Sequence, residues 1–251
     1  MIDLSKLDRP PLGFAECRNC AYRQTGTAPI CFACAAENTE APPAQSCEVC
    51  DLPREAGEPC GNPLCSWDHR YFERVRAISM RTGQMQRAIS RYKYDGKRGW
   101  RAIFGRILVG YLGEHSQHFE GYDAILPSPT FVGPGAERDF DHTRLIVEAA
   151  EVEEPLAWPF EYDMVVKEAK TERFASRGGG KPWSERKEIA EGPLRQALRV
   201  PDKSRVAGKR ILVFDDVFTE GFTIREVAKV LIEADAAEVS EVVLARQPFR
   251  G

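Results

Sequence analysis

Apolar and polar positions follow different rhythms along the chain, and the clearest lies near its end. Residues 211–214, Ile-Leu-Val-Phe, are four apolar positions in a row. The run is too short for a helix and rich in strand formers, which predicts a strand buried on both faces of a parallel sheet. After it Ile224, Val227, Ala228, Leu231 and Ile232 recur at helical spacing. Upstream, residues 74–79 alternate as a strand, Thr82-Gly83 breaks the pattern, and Met85, Ile89 and Tyr92 mark a helix that Gly96 stops. Trp100, Ile103, Phe104, Ile107, Leu108, Tyr111 and Leu112 predict a second amphipathic helix to about residue 119.

Residues 122–126 read as the first core strand, followed by a proline-rich loop over 127–134. Leu145, Ile146, Ala149 and Ala150 predict a helix, and 162–166 the next strand. Residues 169–192 are polar and glycine-rich, carrying Lys170, Arg173, Arg177, Lys181, Arg186 and Lys187. A stretch of that length is a functional or disordered loop. A short strand over 198–200 and a closing strand over 238–246 complete an α/β pattern, a parallel sheet flanked by helices. No internal repeat or heptad is present.

The candidate chemistry sits where the 211–214 strand ends. Asp215 and Asp216 come first, then Val217 and Phe218, then Thr219-Glu220-Gly221-Phe222-Thr223 leading into the helix. In a strand, loop, helix unit the loop amides and the positive end of the helix dipole converge on one spot, which suits a phosphate. Gly221 permits close backbone approach, and Thr219 and Thr223 add hydroxyl donors. The two carboxylates can accept from sugar hydroxyls or hold a magnesium ion through water. This order of residues resembles the thirteen-residue signature of the type I phosphoribosyltransferases. The resemblance implies that residues 217–223 cradle the 5′-phosphate of phosphoribosyl pyrophosphate (PRPP), with Asp215 and Asp216 facing the ribose. Glu220 stands where many members have a second threonine.

Composition narrows the alternatives. The chain has 251 residues, 43% hydrophobic and 29% charged, with a net charge of −3, which fits a soluble globular protein and argues against coating nucleic acid through bulk charge. No apolar run is long enough to span a bilayer. The charged first residues lack a signal-peptide core, so a cytoplasmic location without membrane insertion is the expectation.

All eight cysteines fall between Cys17 and Cys65, as the pairs Cys17/Cys20, Cys31/Cys34, Cys47/Cys50 and Cys60/Cys65. In a reducing compartment, such close pairs predict two structural four-cysteine zinc sites, grouped either in sequence or alternately. From His69 to Arg106 the balance turns basic, with Arg87, Arg91, Lys93, Lys97, Arg98 and Arg101 among aromatics. Two readings stand: a stacking platform for single-stranded DNA, or the solvated faces of two helices whose aromatics are core.

Together these segments resemble the competence protein ComF family. Its linker pattern is echoed by Ile89-Ser90-Arg91-Tyr92-Lys93-Tyr94-Asp95-Gly96, its Pro-x-Pro loop by Pro127-Ser128-Pro129, and its Arg-Gly-Phe-Asn motif by Arg138-Asp139-Phe140-Asp141. The resemblance implies three regions: a cysteine-rich zinc module over 1–68, a basic strand-helix-helix connector over 69–120, and a phosphoribosyltransferase domain over 121–251. It implies Zn2+ and Mg2+ as cofactors, and PRPP with its pyrophosphate against Pro127, Ser128, Pro129, Thr130 and Arg138. The acceptor is an unidentified nitrogen. The alternative it implies is a protein that senses PRPP or a nucleotide without turnover and acts in DNA uptake through single-stranded DNA or a protein partner.

Overall fold

The computed structural model describes residues 39–172, 174–176 and 179–248. Cys17, Cys20, Cys31 and Cys34 lie outside the described residues, as do Arg173, Arg177 and Gly178. The strands are β1 (Val75–Met80), β2 (Ala124–Pro127), β3 (Val166–Lys167), β4 (Ala175–Ser176), β5 (Gly179–Gly180), β6 (Leu198–Arg199), β7 (Arg210–Phe218) and β8 (Glu238–Arg246). The principal helices are α1 (Gly83–Tyr94), α2 (Trp100–Glu114), α3 (His142–Glu153), α4 (Trp183–Ile189) and α5 (Phe222–Ile232).

The main sheet runs β1-β8-β7-β2, and every neighbouring pair is parallel. Its centre is built as the unbroken apolar run predicts. Leu212 and Phe214 face a core shared with Tyr92, Phe104, Leu108, Ile146 and Val147 from α1, α2 and α3. Ile211 and Val213 face the opposite core, shared with Ile224, Val227 and Leu231 of α5. A parallel strand covered on both sides has no solvent face to mark with polar residues, hence the continuous pattern. The Pro127 and Phe218 ends of β2 and β7 then open at the same edge, where ligands gather in such sheets.

Four sequence expectations change. The 238–246 strand does not close the sheet: β8 lies inside it, and the edge is β1, drawn from the segment read as a connector. β1 earns that position because Val75 and Ala77 bury on the α5 side and Ile78 on the other. Residues 162–166 are not a core strand. Asp163 takes φ +59°, which breaks extension, and only Val166–Lys167 pairs, antiparallel to β6 and outside the main sheet. The 169–192 stretch is not structureless; it holds the β4–β5 hairpin and α4, anchored by Phe174 and Trp183 against Phe222. The solvated-face reading of the basic helices fails at Arg106, which is fully buried between α2 and α3 and pairs with Glu153.

The cysteine-bearing segment packs against this sheet. Cys47, Cys50 and Leu52 share a core with Phe72 and Phe218, and Asp51 accepts from the Ala77 amide at 2.8 Å and from Arg76 at 3.0 Å. Among the described residues no helix is long and apolar enough to cross a membrane.

Helices α2 and α3 touch closely because Gly105 has no side chain. A Cβ there would lie 2.7 Å from the Ala150 nitrogen and 2.9 Å from the Ala149 carbonyl carbon. Gly105→Ala is therefore expected to lower the free energy of unfolding by about 1–3 kcal/mol in urea titration, because the obstacle is backbone that cannot rotate away. A neutral result would mean that the helices separate without loss.

Candidate functional site

The loop between β7 and α5 is shaped by where its carbonyls go. The Phe218 carbonyl accepts from the Gln247 amide at 2.9 Å and from Arg246 at 3.3 Å. The Thr219 carbonyl accepts from Arg246 Nη1 at 2.7 Å, and the Glu220 carbonyl from Asn62 Nδ2 at 3.0 Å. In a trans peptide the N–H points opposite the carbonyl before it. The amides of Thr219, Glu220 and Gly221 therefore each point away from the group that holds the carbonyl before them. Among the described residues nothing accepts from the amides of residues 219–223, and α5 has no side-chain cap.

Residues 217–224 line a cavity of about 570 Å³, so these free donors sit at the wall of an open space. Gly221 is required by both space and backbone: its φ is +98°, and a Cβ would lie 2.7 Å from the Phe218 ring. Phe218 and Phe222 are buried and support the loop, while Thr219 is exposed and Thr223 half-buried. Glu220 is not bare. Its Oε1 accepts from Arg186 Nη2 at 2.6 Å.

A second cavity of about 420 Å³ shares Asp215, Val217, Thr223 and Phe174 with the first. Ser128, Pro129, Thr130 and Arg138 line it, together with Lys93, Lys167 and Lys170. The Ser128 amide donates to the Phe214 carbonyl at 2.7 Å and Thr143 donates to the Ser128 carbonyl at 2.8 Å, which holds this loop against the end of β7. Pro127 is buried at the end of β2, paired with Phe214, and lines neither cavity. Of the 138–141 motif, Arg138 lies over the Tyr94 ring at 5.4 Å, Asp139 pairs with Arg98, Phe140 is core, and Asp141 caps α3 through the Arg144 amide.

The two aspartates differ sharply. Burial alone would push Asp216 up, yet Lys93 at 2.6 Å and His142 at 3.6 Å hold it well below the usual carboxylate range. Asp215 is pushed up to about 7 by burial and by the charge of Asp216 beside it. Burial also pushes His142 down from its ordinary value, against the pull of Asp216. The order Asp-Asp thus becomes one locked anion and one carboxyl that titrates near neutrality. Lys93 and His142 were not among the residues read as the site. Lys93 was visible as part of the Lys93-Tyr94-Asp95-Gly96 turn, and His142 as the residue after Asp141, but nothing in their spacing tied them to Asp216.

Cys47, Cys50, Cys60 and Cys65 converge, their sulfurs all within 4.8 Å of one another. Cys50–Cys60 and Cys60–Cys65 are each 3.7 Å apart and Cys47–Cys65 3.8 Å. Zinc–sulfur bonds of about 2.3 Å arranged tetrahedrally span edges of about 3.8 Å, so these four thiols fit zinc. Taken as thiols they are frustrated. The hydrogen bond from Cys65 and the nearby Arg246 guanidinium pull Cys50 down to about 5, while burial pushes Cys60 up to about 12. A dication would relieve that crowding. The set is the second group of the sequential arrangement. His142, Asp215 and Asp216 also lie within reach of one cation, although Lys93 already holds Asp216.

Residues 166–250 match the phosphoribosyl transferase domain. Over 173 residues the chain is 32% identical to the competence protein ComFC of Streptococcus pneumoniae, covering 68% of this chain and 67% of that protein. Two solved structures resemble it at 22% identity, each over 57% of this chain. One is the allosteric regulatory enzyme of purine biosynthesis, with a TM-score of 0.31. The other is the glutamine PRPP amidotransferase from B. subtilis complexed with ADP and GMP, with a TM-score of 0.34. The chain spans a quarter of the length of each of those two structures.

The charge arrangement predicts opposite outcomes for neighbouring substitutions. Asp216→Asn leaves Lys93 without its partner and is expected to destabilise the fold by about 3 kcal/mol. Asp215 ionises less readily folded than unfolded, so its contribution to stability falls as pH rises from the ordinary 3.8 through about 7. Asp215→Asn is therefore expected to match wild type at pH 4 and exceed it at pH 8 in denaturant titrations. A constant difference across that range would count against the assignment.

Proposed function

The chain belongs to the family of the competence protein ComFC, and from that premise we propose that its strand-end cleft binds PRPP with Mg2+ and transfers the ribosyl 5-phosphate group to a nitrogen acceptor. The observation that supports this most is a loop over 219–223 that lines the cavity beside Asp215 and whose amides have no acceptor among the described residues. Val217, Phe218, Thr219, Glu220, Gly221, Phe222 and Thr223 form the seat for the 5′-phosphate. Asp215 and Asp216 face the ribose hydroxyls. Ser128, Pro129, Thr130 and Arg138 receive the pyrophosphate, with Pro127 fixing the start of that loop.

In this reading Lys93 has a part that belongs to the reaction. It stands at the Asp216 carboxylate on the rim of the 420 Å³ cavity, where the leaving group gathers negative charge. As the bond from the anomeric carbon to pyrophosphate breaks and the bond to nitrogen forms, Lys93 and Arg138 stabilise the departing anion. The acceptor's proton leaves to solvent. Asp215, ionised above about pH 7, favours the positive charge that develops on the ribose ring. Mg2+, when bound, would be held by the oxygens of Asp215 and of PRPP and would neutralise pyrophosphate charge. The work of the chain is otherwise to position and to exclude water.

Incubating the protein with PRPP, Mg2+ and a panel of bases and amines tests the reading through pyrophosphate release. Wild type is expected to release it with at least one acceptor, and Asp215→Ala with Asp216→Ala to abolish release. Lys93→Met should lower kcat by about 100-fold or more if its charge acts on the leaving group. The relative is named a competence protein, which favours a second reading: a protein that senses PRPP or a nucleotide without turnover and acts in DNA uptake. Binding of PRPP by calorimetry without release in any mixture would select it. Absence of both binding and release would remove both.

The cysteines carry the structural metal in this proposal. Cys47, Cys50, Cys60 and Cys65 hold one Zn2+, and Cys17, Cys20, Cys31 and Cys34 a second. Purified protein should contain two zinc ions per chain, and Cys60→Ser one. Because Asn62 and Arg246 connect the first of these sites to the loop carbonyls, the Cys60→Ser protein should also melt earlier and bind PRPP more weakly. Full zinc content in that variant would contradict the ligand assignment.

A further inference from the structure

Glu220 places a carboxylate in the middle of a loop whose amides await an anion. Left alone it would repel that anion. Instead it meets Arg186, whose Nη2 donates to Glu220 Oε1 at 2.6 Å, with side chains only 19% and 21% exposed. Arg186 is on α4, and α4 is held here by aromatic packing. Trp183 meets Trp67 edge-on at 5.2 Å between ring centres and Phe222 at 5.6 Å. The other terminal nitrogen, Nη1, donates to the Lys181 carbonyl. The Nε is buried and has no partner among the described residues. Arg186 and Glu220 both line the same cavity as the rest of that loop.

A guanidinium offers five N–H donors in a rigid fork. Here two are engaged, one of them by a carboxylate that fixes the direction of the fork, and the second hydrogens of Nη1 and Nη2 remain for a ligand. We infer that Arg186 is a second anchor for the ester phosphate, and that Glu220 is the positioning residue that aims it. The departure of Glu220 from the threonine of related loops is then an exchange: a hydroxyl donor is given up and a held guanidinium gained. This inference rests on the reading that the loop seats a 5′-phosphate, and it adds a ligand contributed by a segment far from the signature.

The two views of Glu220 differ in sign. If it merely repels, Glu220→Gln tightens phosphate binding; if it aims Arg186, the same change weakens it. Calorimetry with ribose 5-phosphate reads this directly, with inorganic pyrophosphate as a ligand lacking the ester phosphate. Arg186→Ala is expected to weaken ribose 5-phosphate by about 10- to 100-fold, as for the loss of a charge-assisted hydrogen bond, with Glu220→Gln weakening it less. Arg186→Lys, which keeps charge but not the fork, should recover only part. Pyrophosphate affinity should be unchanged in every variant, whatever the loss of the buried pair costs in melting temperature. The double variant should resemble Arg186→Ala alone, because Glu220 acts through Arg186. Tighter ribose 5-phosphate binding by Glu220→Gln, or parallel loss of pyrophosphate binding in all variants, would overturn the inference while leaving the loop reading intact. A wild type that binds neither ribose 5-phosphate nor PRPP overturns both.

Discussion

A single buried guanidinium holds the candidate site to the rest of the molecule. Arg246, 1% exposed at the end of β8, donates from Nε to the Cys50 carbonyl and from Nη1 to the carbonyls of Phe218, Thr219 and Gln247. Its plane lies over the Phe218 ring at 4.7 Å. A buried charge is tolerated only when its hydrogen bonds are met, and Arg246 meets them with backbone oxygens from three separate segments. The direction of those oxygens is therefore a condition of folding. Because peptide units are planar, the same condition turns the loop amides away from the groups that hold those oxygens. The proposed anion seat is the other side of the Arg246 hydrogen bonds.

This explains why a cysteine module accompanies the sheet. Asn62, between Cys60 and Cys65, takes the Glu220 carbonyl, and its own amide donates to Cys60 Sγ at 3.4 Å. The knuckle that gathers the thiols thus continues directly into the support of the loop. The connector is likewise less separate than its composition suggests. β1 completes the sheet, Tyr92 of α1 donates to the His142 carbonyl at 2.7 Å, and Lys93, next in the chain, holds Asp216. One turn of α1 consequently supports one member of the charged group from behind and supplies another.

What was legible in the sequence followed from local rules. The apolar run of β7, the acids at its end, Gly221 and the spacing of α5 all express constraints acting within a few residues, and they led to the sheet and the loop. The grouping of Cys47, Cys50, Cys60 and Cys65 was legible because closely spaced cysteines bring thiols together on one turn. The rest depends on encounters between distant segments. Lys93 looks like any basic residue in the last turn of a helix until Asp216 is beside it. Arg106 looks solvated until Glu153 covers it. Residues 162–166 alternate well enough for a strand, but Asp163 turns the chain so that Met164 and Val165 enter the core. The polar 169–192 stretch folds because Trp183 and Phe174 find Phe222, and no periodicity within it announces that.

The distribution of unmet polar atoms gives the site its energetic character. Buried polar atoms in folded proteins are nearly always paired. Among the described residues Trp158 Nε1, Trp183 Nε1 and Glu226 Oε2 are unpartnered away from the two cavities, whereas Arg81 Nε, Arg138 Nε, Arg186 Nε and Glu241 Oε2 are buried without partners in residues that line one or other of them. The uncapped start of α5 lies at the same place. Glu241 is pushed well above the usual range by burial and by Asp215, so its carboxyl is easier to keep protonated than to ionise. Each such group costs stability, and part of that cost falls where a ligand bearing phosphates and hydroxyls would meet it. A side-chain cap on α5 would remove part of that cost and would also occupy the seat. The fold instead leaves the seat open and supports it from behind, through carbonyls that Arg246 and Asn62 can satisfy without entering the cleft.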